Sequence, residues 1–221
     1  MTREFLRSPF VACCLGMLWI LAYPVLFFPK GELVLLINQH HTPGLDLFFK
    51  YVTYLGDGSI MAILLIGLLL FSYKFSILAA FSILFQSVLV SLFKRWLFKG
   101  MERPTAYFEG IDWTFVEGVN VHSSNTFPSG HTATGFALFA LLVVIFNHRS
   151  YMLSMLFFLM AAFVGLSRVY LLQHFVVDIF FGAIFGILSV VLALMLMEKL
   201  FKKEQLDNLR HKSLLTTIFK K

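Results

Sequence analysis

Six apolar stretches constrain the fold of this chain more than any other feature of its sequence. A helix needs about 20 mostly apolar residues to cross a bilayer; the first and last stretches meet that length outright, whereas the second is short. The stretches are Pro9–Phe28, Ile60–Tyr73, Phe75–Phe93, Thr132–Phe146, Tyr151–Leu166 and Phe175–Met197. Hydrophobic residues make up 59% of the 221 residues and charged residues 14%, against about 45–50% and about 25% in soluble domains. The sequence therefore predicts an all-α, polytopic membrane protein: one domain over residues 1–221 built as a bundle of six transmembrane helices.

Six crossings place both ends of the chain on one side of the membrane, so the basic residues of the two sides can be compared. Eleven of the 18 Lys and Arg residues fall on the side of the termini and seven on the other. Since cytoplasmic loops carry the excess of Lys and Arg, we expect cytoplasmic termini, a solvated basic tail over 198–221, and a location in the plasma (inner) membrane. The net charge of +6 then reflects this bias and attraction to anionic lipid, and no nucleic acid partner is expected.

Two segments on the far side of the membrane stand out between the spans. Thr42-Pro43 is typical of a helix start, because Thr caps the first turn and Pro fits its first position. The apolar residues that follow recur at helical spacing: Leu45, Phe48, Phe49, Val52 and Leu55. They predict an amphipathic helix, either lying in the membrane interface or packed as a cap over the bundle. The other segment, residues 94–129, is a long polar loop with aromatic residues, and such a loop is expected to be ordered and functional.

Asp178 is the one acidic residue inside an apolar stretch. An unpartnered carboxylate there costs at least about 2.5 kcal/mol, so it needs a partner. His174 stands four residues earlier, which on one helix puts both side chains on the same face. A carboxylate that accepts from one imidazole nitrogen fixes the tautomer and leaves the other nitrogen as a base or nucleophile. A purely structural His–Asp pair is the alternative interpretation.

Further polar groups are predicted on the same side of the membrane. Arg168 ends the fifth span, and Pro128-Ser129-Gly130-His131 stands where the long loop enters the fourth. Ser and Gly at a helix start offer N–H groups to an anion, and guanidinium groups hold phosphate oxygens in a bidentate fork. Basic residues also open the loop: Lys94, Arg95, Lys99 and Arg103. Two imidazoles, a carboxylate and several cations on one membrane face indicate phosphoryl transfer without a metal ion.

These residues resemble the signature of the type 2 phosphatidic acid phosphatase superfamily, which has three parts. The second part, Pro-Ser-Gly-His, matches in full at residues 128–131. The third part is Ser-Arg, five residues, His, three residues and Asp, and it matches in full over residues 167–178. The first part is Lys, six residues and Arg-Pro, and it matches only at Arg103-Pro104. Two complete motifs in order make the resemblance specific.

The lysine of the first motif is the one departure from this pattern. Trp96 occupies its usual position. The nearest lysine upstream is Lys94, nine residues before Arg103, and Lys99 is the alternative. We expect Lys94 to serve, because it follows the third span directly.

The resemblance implies a catalytic centre within residues 94–178. His174 would be phosphorylated as the nucleophile, Asp178 would orient it, and His131 would protonate the leaving group and then activate water. The phosphate oxygens would be held by Lys94, Arg103, Ser129, Gly130 and Arg168. No metal and no other cofactor is expected, and the sequence offers no cluster of carboxylates for a divalent ion.

The predicted protein is thus an integral membrane phosphatase whose site faces the extracytoplasmic (periplasmic) side near the head groups. Its substrate would be a lipid-linked phosphate or diphosphate. The resemblance implies undecaprenyl diphosphate first, then phosphatidylglycerophosphate, phosphatidic acid or the lipid A phosphates. A phosphotransferase that passes the phosphoryl group to a second lipid is one alternative. An inactive scaffold or a transporter is another, although such a protein would be expected to lose motif residues that this chain keeps.

Overall fold

The computed structural model of the protein describes residues 1–146 and 149–218, and all regular structure in this part of the chain is helical. Twelve α-helices follow one another there: α1 (Thr2–Leu6), α2 (Pro9–Phe27), α3 (Glu32–Asn38), α4 (Pro43–Val52), α5 (Gly58–Phe71), α6 (Tyr73–Ser91), α7 (Pro104–Tyr107), α8 (Gly130–Phe146), α9 (Tyr151–Tyr170), α10 (Val176–Leu200), α11 (Lys203–His211) and α12 (Leu214–Ile218). A 3₁₀ turn at Thr53–Gly56 follows α4, and a π-helical segment at Leu92–Leu97 continues α6. The all-α prediction is confirmed.

Several of these helices are suited to a membrane. By length and composition, four can cross one: α2, α6 with its π-helical extension, α9 and α10. The segment Pro43–Gly56 and α5 are bent by 52° and count as a fifth span if they act as one unit. The remaining apolar helix, α8, is shorter. A polytopic membrane protein is therefore confirmed, with four to five candidate spans among the described residues.

Each predicted stretch corresponds to one long helix, and several helices run beyond the predicted bounds. Two of these extensions concern the predicted site. α9 continues to Tyr170, past the predicted end at Leu166, and the third helix continues through its π-helical segment to Leu97. Each extension carries a predicted site residue, Arg168 and Lys94 respectively. The helices therefore hold these cations rigidly rather than leaving them in loops.

The core of the bundle lies around α8, which is buried continuously over residues 132–141. α10 crosses it closely at two glycines. A Cβ atom on Gly182 would lie 2.8 Å from the Ser129 carbonyl oxygen, and one on Gly186 would collide with the Ala133 carbonyl oxygen. Because small residues let helix backbones approach, this crossing brings the start of α8 against the first turns of α10.

The amphipathic helix α4 begins as the sequence predicts. The Thr42 hydroxyl accepts a hydrogen bond from the Leu45 N–H at 3.3 Å, and Pro43 occupies the first turn. Phe49 is buried, and its ring lies 4.4 Å from that of Tyr170 at the end of α9. Other apolar residues of α4, such as Phe48, stay exposed. One face of α4 thus packs over the bundle, and an apolar face remains open.

The segment after α10 folds back along the bundle. Its charged residues are exposed, and Leu206 of α11 is buried. The Lys212 carbonyl accepts a hydrogen bond from the Tyr73 N–H at 2.9 Å, which ties this segment to the start of α6. The end of the predicted tail, residues 219–221, lies outside the described residues.

Candidate active site

His174 and Asp178 form the pair that the sequence predicts. Asp178 Oδ2 lies 3.3 Å from His174 Nδ1, and both side chains are buried. The expectation that the two residues share a helix is wrong, because α10 begins at Val176 and His174 lies in the turn before it. The turn nevertheless returns the imidazole to the carboxylate. Since Nδ1 faces Asp178, Nε2 is the nitrogen left for chemistry.

Asp178 is fixed by donors from three parts of the chain. Oδ2 accepts from the Phe175 N–H at 2.8 Å and from the Thr126 hydroxyl, and the Asp178 carbonyl accepts from the Ser129 N–H at 3.1 Å. The Thr126 oxygen also lies 3.4 Å from His174 Nδ1. Sequence analysis missed Thr126, although its place just before the Pro-Ser-Gly-His motif was a usable signal. These contacts hold the carboxylate in one orientation against the imidazole.

Burial dominates the electrostatics of His174. Removal from water lowers the pKa of its imidazole to about 3, an effect that Asp178 opposes and the charges of Arg103 and Arg168 reinforce. The ring is therefore neutral at physiological pH. A neutral imidazole whose Nδ1–H points to Asp178 carries its lone pair on Nε2, as a nucleophile requires.

Arg103 is bound to the surrounding loop by part of its guanidinium group. Nε donates to the Ser124 carbonyl at 2.9 Å, and Nη1 donates to the carbonyl and side-chain oxygens of Gln173 at 2.9 and 2.7 Å. Gln173 in turn donates to the Asn120 carbonyl at 2.9 Å. Within the described residues Nη2 makes no hydrogen bond, so it is the donor left for a ligand. The sequence analysis did not predict Gln173 as a site residue, although its polar side chain directly before His174 was an indication.

Arg168 reaches the same region from the end of α9. Its Nη1 donates to the Thr53 hydroxyl at 2.6 Å, whereas its buried Nε finds no hydrogen-bond partner in the described part of the chain. Arg168 also lies within electrostatic range of Arg103. A buried guanidinium with an unused donor beside a second cation favours an anionic ligand. Thr53 had no signal in the sequence.

His131 stands in the first turn of α8 and is half-buried. Its imidazole lies within electrostatic range of Arg168, Lys94 and Arg103. The 3₁₀ turn packs closely against the backbone of His131. A Cβ atom on Gly56 would lie only 2.6 Å from the His131 carbonyl oxygen. The second imidazole is therefore held at the same cluster of cations as the first.

Ser129 and Gly130 form the start of α8. The fully buried Ser129 hydroxyl accepts hydrogen bonds from the Thr132 N–H at 3.3 Å and from the Thr132 hydroxyl at 2.8 Å. It therefore caps the helix, and Gly130 is the first helical residue. The N-terminus of α8, with its partial positive charge, lies beside His131.

Lys94 and Lys99 differ in their surroundings. Lys94 lies in the π-helical segment, is half-buried, and is within electrostatic range of Arg103, Asp178 and Arg168. Lys99 is exposed beyond the end of this segment. The geometry therefore favours Lys94 as the motif lysine. Among residues 1–146 and 149–218, no group of three His, Cys, Asp or Glu side chains is placed to hold a metal ion.

An apolar cavity of about 250 Å³ lies on the other side of Phe175, between the end of α2 and the start of α10. Lys30 stands at its edge, with Nζ 4.2 Å from the ring centre of Tyr107 and 4.4 Å from that of Phe175. The residue after His174 thus forms part of the wall of this apolar cavity.

Comparison with known proteins agrees with this arrangement. The PAP2 superfamily matches residues 75–202, more than half of the chain and the whole range of the predicted site residues. The chain belongs to the PAP2 superfamily. The membership predicted from the three motifs is therefore confirmed.

Solved structures of the superfamily share the fold. The chain is similar to LpxE of Aquifex aeolicus, with 31% identity and a TM-score of 0.65 over 75% of this chain and 94% of that one. It is also similar to a transmembrane PAP2 type phosphatidylglycerolphosphate phosphatase from Bacillus subtilis, with 22% identity and a TM-score of 0.62 over 89% of this chain and 98% of that one. At the lower identity the likeness concerns the fold alone.

A lipid A 1-phosphatase of Porphyromonas gingivalis is 35% identical over 80 residues. The match covers 36% of this chain and only 18% of that relative. The match therefore spans less than a fifth of the length of that relative.

Proposed function

We propose that this protein is a membrane lipid phosphatase that hydrolyses a phosphate ester through a phosphohistidine. The observation that carries the proposal is the buried His174, whose Nδ1 lies 3.3 Å from Asp178 Oδ2, within electrostatic range of Arg103 and Arg168. A covalent mechanism needs an oriented nucleophile and an acid on the leaving side. Membership of the PAP2 superfamily supports the same chemistry.

The first step transfers the phosphoryl group to the protein. His174 Nε2 attacks phosphorus, a P–N bond forms, and the P–O bond to the lipid breaks. His131 gives its proton to the leaving oxygen, so the lipid departs as an alcohol, or as a monophosphate when the substrate is a diphosphate. Asp178 stabilises the positive charge that develops on the His174 ring.

The second step returns the protein to its starting state. His131, now neutral, takes a proton from water, the water oxygen attacks phosphorus, and the P–N bond breaks. Inorganic phosphate leaves and His174 is restored. In both steps the oxygens of the phosphoryl group carry charge that Lys94, Arg103 Nη2 and Arg168 would neutralise, together with the Gly130 N–H at the start of α8. Ser129 would act by capping this helix start. No metal ion or other cofactor enters this scheme.

The membrane arrangement belongs to the same proposal. With α8 as a short span and α5 as a separate one, the chain crosses six times, and α4 lies in the interface beside the site. The basic residues favour cytoplasmic termini, which puts the site on the extracytoplasmic face of the plasma (inner) membrane. A lipid could then keep its chains in the bilayer, with the apolar cavity beside Phe175 next to the reacting head group.

The substrate class is a lipid-linked phosphate or diphosphate. The relative from Porphyromonas gingivalis, whose name specifies a lipid A 1-phosphate, puts lipid A-type phosphates ahead of undecaprenyl diphosphate as the first to test. Phosphatidylglycerophosphate and phosphatidic acid complete the panel.

Release of inorganic phosphate from this panel, by the purified protein in detergent, tests the proposal. His174→Ala should lower the rate at least about 10³-fold, because the nucleophile is lost. His122→Ala, in the exposed loop, is the matched control and should leave it unchanged. Vanadate should inhibit, and excess chelator should not. A His174→Ala variant with normal turnover would refute the mechanism, and consumption of lipid without free phosphate would indicate a phosphotransferase.

A further inference from the structure

The opposite end of the bundle contains a second cavity with its own cluster of charged groups. It has a volume of about 260 Å³ and is lined by residues of α1, the start of α6, the end of α8 and Arg210 of α11. Val144 of this lining is thirteen residues along α8 from His131, or about 20 Å at the rise of an α-helix. The cavity is therefore separate from the proposed catalytic centre.

Lys74 lines this cavity and is 92% buried, with 8% of its surface exposed. Its ammonium group makes no hydrogen bond or ion pair with any described residue, and it lies 5.8 Å from the centre of the Phe75 ring. A buried charge without a partner is strongly unfavourable. The cavity is therefore a place where an anion would satisfy Lys74.

Two carboxylates near this cavity, Glu198 and Glu4, already have partners. Glu198 accepts from the Met1 amino group at 2.8 Å and from the Thr2 N–H and hydroxyl at 2.9 and 2.8 Å. Glu4 lies 3.7 Å from the Met1 amino group and 3.8 Å from Arg149. These contacts leave Lys74 without a carboxylate partner.

Arg210 is the second unpaired cation of the cavity. It lies within electrostatic range of Lys74, as do Asp207 and Glu4. Within the described residues, neither of these carboxylates forms an ion pair with Lys74 or Arg210. The cavity therefore holds two cations that no described carboxylate binds directly.

The start of α6 adds to the attraction for an anion. Lys74 is in the first turn of this helix, where exposed N–H groups create a positive potential. Ser72 precedes the helix, and its buried hydroxyl has no hydrogen-bond partner within the described chain. A helix start and two cations at one cavity are components of a phosphate site.

We propose that this cavity, defined by Lys74 and Arg210, binds a phosphate group at the end of the bundle away from the proposed catalytic centre. Basic pockets between membrane helices bind anionic head groups, so the phosphate of an anionic phospholipid is the expected occupant. Free inorganic phosphate offers the same chemistry, and the experiment separates the two sources.

Thermal unfolding of the purified full chain tests the site in three media: a zwitterionic detergent alone, the same detergent with phosphatidylglycerol, and the same detergent with inorganic phosphate. Lys74→Met keeps the length of the side chain and removes its charge. We expect this variant to unfold at a higher temperature than the wild type in detergent alone, because an unpaired buried charge is gone. We also expect it to lose the stabilisation that phosphatidylglycerol gives the wild type.

Arg210→Gln, at an exposed position that tolerates change, should weaken lipid binding about ten-fold, as loss of one charge-assisted hydrogen bond would. Native mass spectrometry of retained lipid measures this directly. Lys203→Met in exposed α11 makes the same charge change outside the cavity and should behave as wild type. A Lys74-dependent shift with inorganic phosphate but not with lipid would assign the site to the free ion. Equal lipid retention and equal shifts in wild type, Lys74→Met and Arg210→Gln would overturn the proposal.

Discussion

α10 and α2 are both long apolar helices, yet they occupy opposite environments in the bundle. Their most apolar windows have mean hydropathy values of 2.7 and 2.2, but 50% of the α10 window is buried and only 17% of the α2 window. The buried residues of α10 include Gly182, Ala183 and Gly186, whereas α2 exposes Trp19 and Phe27. Hydropathy therefore identifies a span, and the spacing of small residues decides whether it is central.

The central position of α10 also places Asp178 within the proposed catalytic centre. Asp178 is one turn before Gly182, at the point where α10 crosses the start of α8. The same crossing ties the Ser129 N–H to the Asp178 carbonyl. The predictions that follow test this contrast between the central and the outer helices.

The largest effect is expected from Asp178→Asn in the central helix. The amide keeps the shape of the carboxylate but cannot fix the His174 tautomer or stabilise its positive charge, so the rate should fall about 10³–10⁴-fold. Phosphate release measures the effect, and unfolding temperature tests whether the fold is kept. Glu198→Gln, at the other end of the same helix, is the control and should change the rate little. Equal rates in Asp178→Asn and wild type would mean that the pair is only structural.

A smaller but still large effect is expected from Gly182→Val. The new side chain would press on the Ser129 carbonyl and the Thr132 side chain, and a displacement of about 1 Å at a catalytic centre costs about 10²-fold in rate. Gly16→Val in α2 is the matched control, because a Cβ atom there has nothing within 4 Å. Similar losses in the two variants, measured as phosphate release and unfolding temperature, would contradict the proposed difference between the helices.

The smallest effect is expected from Thr53→Val, where an outer segment reaches the central cluster. The change removes the hydroxyl that receives the Arg168 Nη1–H, so phosphate binding should weaken about ten-fold. The inhibition constant of vanadate measures this. Thr114→Val in the exposed loop is the control. If the constant is unchanged in Thr53→Val, Arg168 does not depend on this contact.

The sequence predicted the family and the His–Asp pair because their motifs are complete. The sequence placed His174 on the same helix as Asp178, because a spacing of four residues is typical of one helical turn. The helix in fact begins at Val176, and a tight turn before it gives the same proximity. Thr126, Gln173 and Thr53 are positioned by contacts between distant segments, and no local pattern records such contacts. Hydropathy predicted that the third and fifth spans end before Lys94 and Arg168, because charged residues lower the mean hydropathy. In the folded protein both helices continue past these residues.

The π-helical segment at Leu92–Leu97 has a consequence for how such proteins vary. A π turn, closed here by the Phe98 N–H and the Phe93 carbonyl at 2.8 Å, accommodates one residue more than an α turn. A switch between an α turn and a π turn can therefore accommodate one inserted or deleted residue between the lysine and the Arg-Pro pair. The direction of the ammonium group would stay the same. A change of one residue in the interval between Lys94 and Arg103 therefore need not move the positive charge relative to the bundle.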